Sequence, residues 1–180
     1  QTCALPILPV LRTVRLPPAV RARLAGLADI GFGNVVKILL GFRAAWWQAH
    51  GTGYADLAFL FSQARVPTWW TQSPAAHPVL TGWYAGPKAD TVAAMSESDL
   101  IEMALASLSD AFGVPADQLR AMLVAARAIN WGRDPFAGGA YSYATPATRA
   151  GQAALLRPGD RIYLAGEAVN PGTDRGTVEA

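Results

Sequence analysis

Arg161-Ile-Tyr-Leu-Ala-Gly-Glu-Ala-Val-Asn-Pro-Gly-Thr-Asp-Arg-Gly-Thr-Val-Glu-Ala180 closes the chain. Ile162 to Ala165 is apolar and short, the pattern of a buried strand. Gly166-Glu167 makes a turn, a Gly/Pro loop follows, and Thr177 opens a helix. A strand that feeds a helix N-terminus through glycines turns backbone N–H groups toward one point, where an anion can sit. Many α/β turns of this shape hold no ligand, so the rest of the chain must say whether this one does.

Composition sets the class. The chain is 52% hydrophobic and 16% charged, enough apolar content for a sizeable core. A net charge of +2 is too small to point to nucleic acid or an anionic membrane. No run of 18 apolar residues occurs, so no transmembrane helix is expected. Cys3 is the single cysteine, which excludes an internal disulfide and gives no basis for a cysteine metal site. A reducing, cytoplasmic setting is the expectation. Gln1 is not an initiator Met, and Ala180 falls where a helix is only beginning. The chain therefore reads as a piece of a longer protein.

Working back from the C-terminus, residues 131–146 are the second informative segment: Trp-Gly-Arg-Asp-Pro-Phe-Ala-Gly-Gly-Ala-Tyr-Ser-Tyr-Ala-Thr-Pro. Gly138-Gly139 removes side chains where a ligand or another backbone comes close. Taken alone, the segment is equally a glycine loop with surface tyrosines. Ser96 to Phe112 is the clearest helix. Ser96 is its candidate N-cap and Gly113 its stop, with Ile101, Leu105, Leu108 and Phe112 on one face. Asp117 to Met122 predicts a further helical turn, and Leu123 to Trp131 a strand carrying Arg127.

Val35-Val-Lys-Ile-Leu-Leu-Gly-Phe42 is the strongest strand. Val36, Ile38, Leu40 and Phe42 share one face; Val35, Lys37 and Leu39 share the other. A lysine here needs a partner, water or the surface, and by itself reads as an edge-strand lysine. Leu57–Ser62 and Val79–Tyr84 predict neighbouring strands. Trp46-Trp47 and Trp69-Trp70 read as core packing with each indole N–H reaching a partner. His50 and His77 read as surface histidines. Near the N-terminus, Thr2–Leu5 predicts a strand and Val20–Ala28 a helix with Arg21 and Arg23 exposed.

Several of these stretches share one resemblance. Ile-Tyr-Leu-Ala-Gly-Glu-Ala followed by Gly-Thr-Val-Glu closely resembles the C-terminal flavin-binding signature of the flavin-dependent amine oxidases, the monoamine and polyamine oxidase family. Gly33-Asn-Val-Val-Lys37 resembles the family strand whose lysine holds a water against flavin N5. Leu80-Thr-Gly-Trp-Tyr-Ala-Gly-Pro-Lys-Ala89 resembles a substrate-domain strand and its exit. Ala4-Leu-Pro with Leu16-Pro-Pro resembles the crossover between domains. Trp131, Asp-Pro-Phe, Gly-Gly and Tyr141 resemble the return into the flavin domain.

The resemblance implies an α/β, mixed α+β fold in two domains. Residues 1–26 and 131–180 would belong to an FAD-binding domain, and 27–130 to a substrate-binding domain. It implies FAD, an amine substrate and oxygen: a primary or secondary amine goes to an imine and hydrogen peroxide forms. Lys37 and Tyr141 would be catalytic. Trp131, Gly139, Ala140, Gly166, Glu167, Gly176, Thr177 and Val178 would bind the cofactor, with the N–H groups of Thr177 and Val178 facing the flavin's N1–C2=O edge. No metal is implied.

Three departures qualify it. The Gly-x-Gly-x-x-Gly fingerprint is absent from these 180 residues. A preceding dinucleotide-binding segment of the same chain would be needed, and the piece alone is expected to be inactive. The position of the flavin-linking cysteine of monoamine oxidases is Ala140, so the flavin is expected to be noncovalent. Thr177 stands where those enzymes have a second tyrosine, so the resemblance does not select among polyamine, amino acid and aromatic amine. A flavin-dependent desaturase or isomerase is the nearest alternative. A noncatalytic binding protein on a remnant of the fold is the more distant one.

Overall fold

A computed structural model describes residues 8–49, 53–157 and 162–172. In chain order its elements are α1 (Leu8–Leu11), α2 (Pro18–Arg23), β1 (Gly31–Gly33), β2 (Val35–Phe42), β3 (Phe59–Phe61), β4 (Thr68–Trp70), β5 (Val79–Ala85), α3 (Pro87–Thr91), α4 (Glu97–Phe112), α5 (Ala116–Met122), β6 (Leu123–Asn130), β7 (Tyr141–Tyr143) and α6 (Thr148–Leu155). Helices and two antiparallel sheets make a mixed α/β protein. Two compact units are present, one from the segments up to Asn34 and from Trp131 onward, the other Val35–Asn130.

The unit Val35–Asn130 is built on a five-stranded antiparallel sheet in the order β3-β4-β5-β2-β6. Alternation along β2 sends Val36, Ile38, Leu40 and Phe42 into a core that they share with Leu100, Met103, Ala104, Leu105 and Leu108 of α4. The helix forms where its caps are. Ser96 Oγ accepts from the Asp99 N–H at 3.1 Å, the Asp99 carboxylate accepts from the Ser96 N–H at 3.4 Å, and Gly113 ends the helix with φ 69°. Its buried face centres on Leu100, Ala104, Ser107 and Leu108, while Ile101 and Phe112 are only half-buried. The apolar stripe is thus wider than the four residues the spacing picks out.

Three expectations change in this unit. β2 is central, between β5 and β6, so Lys37 is not an edge-strand lysine. Leu57–Ser62 and Val79–Tyr84 do not yield neighbouring strands, because β4 pairs with both β3 and β5 and separates them. Thr68–Trp70 lies between prolines and polar residues, too short to show a period of two. Third, the Trp69 indole N–H donates to the Val66 carbonyl at 3.1 Å as expected, but the Trp46 indole nitrogen is buried with no hydrogen-bond partner among the described residues.

In the other unit, α2 begins on Pro18, where proline's missing N–H costs nothing, and continues as a 3-10 turn over Leu24–Asp29. The expected helix over Val20–Ala28 is therefore an α-helix that tightens into a 3-10 turn after Arg23. Gly26 and Gly151 let the 3-10 turn and α6 touch backbone to backbone. Around that contact Leu27, Ile30, Leu155 and Ala168 form a small core. Leu27 and Ile30 bind residues 27–34 to this unit, so the units divide at Asn34/Val35, where the sequence reading puts the passage at 26/27. β1 pairs with β7, setting Gly33 opposite Tyr141 and Phe32 opposite Ser142.

Residues 162–165 are not a strand. They are irregular, with Tyr163 83% exposed, because a strand exists only where a ladder satisfies its backbone, and no described residue pairs with this stretch. The expected strand Thr2–Leu5 and the expected helix start at Thr177 lie outside the described residues.

Candidate functional site

The return segment is shaped by one aspartate. Asp134 Oδ1 accepts from the Phe136 and Ala137 N–H groups at 2.8 and 2.9 Å, and its carbonyl accepts from the Gly138 N–H at 2.8 Å. That turn leads from Trp131, the first residue of a 3-10 turn, into Gly138 and Gly139, with φ of 63° and 153°. Gly139 is buried against the Phe32 ring, which occupies the place a Cβ would need. Ala140 then donates its N–H to the Gly33 carbonyl at 2.9 Å, and Tyr141 enters β7 half-buried.

Gly166 and Glu167 meet this segment. Gly166 has φ 137°, and among the described residues none but its chain neighbours comes within 4 Å of where its Cβ would be. Glu167, which opens a 3-10 turn to Val169, is only 5% exposed. A buried carboxylate needs donors, and Ser142 gives two: its N–H reaches one oxygen at 2.9 Å and its hydroxyl the other at 2.8 Å. Ser142 follows Tyr141, so the structure brings Gly139, Ala140 and Tyr141 to the Gly166-Glu167 turn, although 25 residues separate Ser142 from Glu167.

One more side chain secures that turn, and another the stretch before it. Gln152, 4% exposed on α6, donates its amide to the carbonyls of Ala168 and Asn170 at 3.0 and 2.9 Å. Arg23 is half-buried rather than exposed as expected. Its guanidinium donates to the Leu155 carbonyl at 2.6 and 3.1 Å and to the Ile162 carbonyl at 3.1 Å. Sequence reasoning singled out neither Ser142 nor Gln152. The only signal was Tyr141-Ser142-Tyr143, where alternation puts the serine on the face opposite both tyrosines.

Lys37 belongs to the other unit. It is half-buried on β2, opposite Trp83 of β5 and Ile129 of β6, and its Nζ lies 5.7 Å from the Trp70 ring centroid. His77 is exposed, as expected, and His50 lies outside the described residues. A cavity of about 210 Å³ in this unit is lined by Trp47, Asp56, Thr71, Ser73 and His77. No group of three or more metal-binding side chains occurs among the described residues, and none of their helices is long and apolar enough to cross a membrane. Gly176, Thr177 and Val178 lie outside the described residues.

The chain is thus a mixed α/β protein whose glycine-cornered return is tied to a buried carboxylate. Comparison with known families is specific. The flavin containing amine oxidoreductase family matches residues 2–180, and the chain belongs to that family. It is 29% identical over 163 residues to lysine-specific histone demethylase 1 homolog 3 of Arabidopsis thaliana, covering 84% of this chain and 9% of that protein. It is 27% identical over 128 residues to a possible lysine-specific histone demethylase 1 of Drosophila melanogaster, covering 71% of this chain and 14% of that protein. The chain thus spans only a small part of these relatives.

Proposed function

We propose that this chain contributes to FAD-dependent oxidation of a primary or secondary amine to an imine, with hydrogen peroxide as the second product. Family membership makes it a flavin-type oxidoreductase; the cofactor's identity and the reaction are our reading. The observation that carries it is the Gly166 turn. Among the described residues none but its chain neighbours stands where a side chain would be, and Ser142, next to Tyr141, hydrogen-bonds its Glu167. Such an opening suits close approach of a cofactor's phosphate or ribityl portion to the main chain. FAD, held noncovalently, would supply the two-electron acceptor and the reductant of oxygen.

The chain's own groups have separate tasks. Gly166 and Glu167 offer backbone to the cofactor, while Glu167's carboxylate is engaged by Ser142. Trp131, Gly139, Ala140 and Gly176 would hold the cofactor, and Thr177 and Val178 would supply further N–H donors. Tyr141 offers a flat ring against the amine. Lys37 supplies positive charge and donors for an ordered water on an otherwise apolar strand. The unit containing Trp131 onward acts as the flavin domain and Val35–Asn130 as the substrate domain.

The test is direct. The purified complete protein, including the dinucleotide-binding segment expected to precede these residues, should carry FAD and form peroxide only when an amine is supplied. Bound flavin that is reduced by no amine in a panel of monoamines, polyamines and amino acids would favour the desaturase or isomerase alternative. A protein that takes up no flavin would favour the binding protein.

A further inference from the structure

Residues 162–170 contain no strand and no α-helix, yet their buried members are as well fixed as a core element. Backbone without a ladder must find other partners or stay hydrated. Here two side chains hold backbone carbonyls, and the N–H and hydroxyl of a serine hold the Glu167 side chain. Arg23, from α2, holds the Ile162 carbonyl; Gln152, from α6, holds the carbonyls of Ala168 and Asn170; Ser142, from β7, holds both oxygens of Glu167. Ser142, Gln152 and Glu167 are all at most 5% exposed. Four donors from buried Ser142 and Gln152 groups thus converge on one turn of 3-10 helix and its capping residue, and Gly166, which opens this turn, has no described residue other than its chain neighbours within 4 Å of its Cβ position.

We infer that Ser142 and Gln152, assisted by Arg23, are positioning residues that preform the Gly166–Ala168 turn for a flavin cofactor and couple it to Tyr141. This rests on the proposed function for the identity of the cofactor. The coupling is covalent at one end and charged at the other. Ser142 is the next residue after Tyr141, and its two bonds to Glu167 are hydrogen bonds to a carboxylate, the stronger kind. Loss of the hydroxyl removes one hydrogen bond to a buried carboxylate, which costs more than the loss of an exposed one and shifts the turn. A ligand seated on that backbone then loses its preformed geometry, and a change at Ser142 reaches the cofactor without touching it.

The experiment compares the wild-type holoprotein with Ser142→Ala, Ser142→Thr and Gln152→Ala. Flavin release is followed by fluorescence, and the bound flavin by its visible absorbance band. Ser142→Ala should weaken flavin binding about ten- to a hundredfold, the range for one hydrogen bond to a charged group, and displace the absorbance band. Gln152→Ala should weaken binding in the same direction, and Ser142→Thr, which keeps the hydroxyl on a strand that tolerates branching, should restore both readouts. A lower melting temperature with unchanged affinity and spectrum would reduce Ser142 to ordinary packing and overturn the inference alone. If Ser142→Ala does not fold, Ser142→Cys, nearly isosteric with a weak donor, carries the test: wild-type flavin affinity in it overturns the inference, and intermediate affinity supports it. A wild-type protein that binds no flavin fails at the earlier step and removes the proposed function as well.

Discussion

The Lys37 ammonium lies 5.7 Å from the centroid of the Trp70 ring, reaching across β5 from β2 toward β4. Trp83, opposite Lys37 on β5, has its own ring 5.9 Å from that of Trp70. No carboxylate pairs with this lysine among the described residues. An indole face attracts a cation without neutralising it, so the charge stays available to a third group.

Replacing Lys37 by Met tests what that charge is for. Met keeps much of the stem's volume and suits aromatic neighbours, so the holoprotein should fold. Under the proposed function, reoxidation of the reduced protein by oxygen slows roughly 100- to 1000-fold, the cost of about 2.7–4 kcal/mol for one preorganised electrostatic group. Stopped-flow mixing with oxygen measures it. An unchanged rate at full flavin content would leave Lys37 as a structural cation.

Ala140 offers no sulfur for a thioether. Acid precipitation of the holoprotein should therefore release the flavin into the supernatant. Yellow colour left in the pellet would mean a covalent link elsewhere in the chain.

Gly26→Ala should destabilise the unit that carries the site. The new Cβ would overlap the Gly151 carbonyl oxygen, and Gly151 faces back onto Gly26 in the same way. Both neighbours are backbone, so neither can rotate aside. A loss of about 1–3 kcal/mol is expected, the usual range for overpacking. Denaturant unfolding measures it; an unchanged midpoint would show that α6 can slide away at no cost.

Acid should weaken a tie between α4 and α5. Arg120 forms a two-pronged ion pair with Glu102, both side chains about half exposed at 48% and 50%. The hydrogen bonding, and then the charge, of Arg120 holds the Glu102 carboxyl below its ordinary value of 4.5. A carboxyl lowered in the folded state stabilises it above the unfolded value, and that contribution is lost as pH falls through 4.5 and below. Glu102→Gln should flatten this part of the acid limb in unfolding titrations and change little near neutrality, since exposed pairs are worth little. An acid limb identical in wild type and variant would show that the pair does not couple to folding.

Local chemistry was enough for the elements that carry their own instructions. β2 runs from Val35 to Phe42 because an apolar, β-branched-rich run there is interrupted only by Lys37 and Gly41, and α4 starts after Ser96 and stops at Gly113 because cap and stop residues stand there. The turns at Gly138-Gly139 and Gly166 were legible for the same reason, since a glycine at positive φ is a local demand, whereas a cofactor role for these residues came from the resemblance alone. Non-local pairing was not legible. β4 hides between prolines, and only its two neighbours make Thr68–Trp70 a strand that parts β3 from β5. Central placement of Lys37 needed the partners of β2 on both sides. Ser142, Gln152 and Arg23 are common residues in common surroundings. They matter because folding brings buried carbonyls and one buried carboxylate within their reach, and a buried polar group must be satisfied by whatever the tertiary structure places beside it.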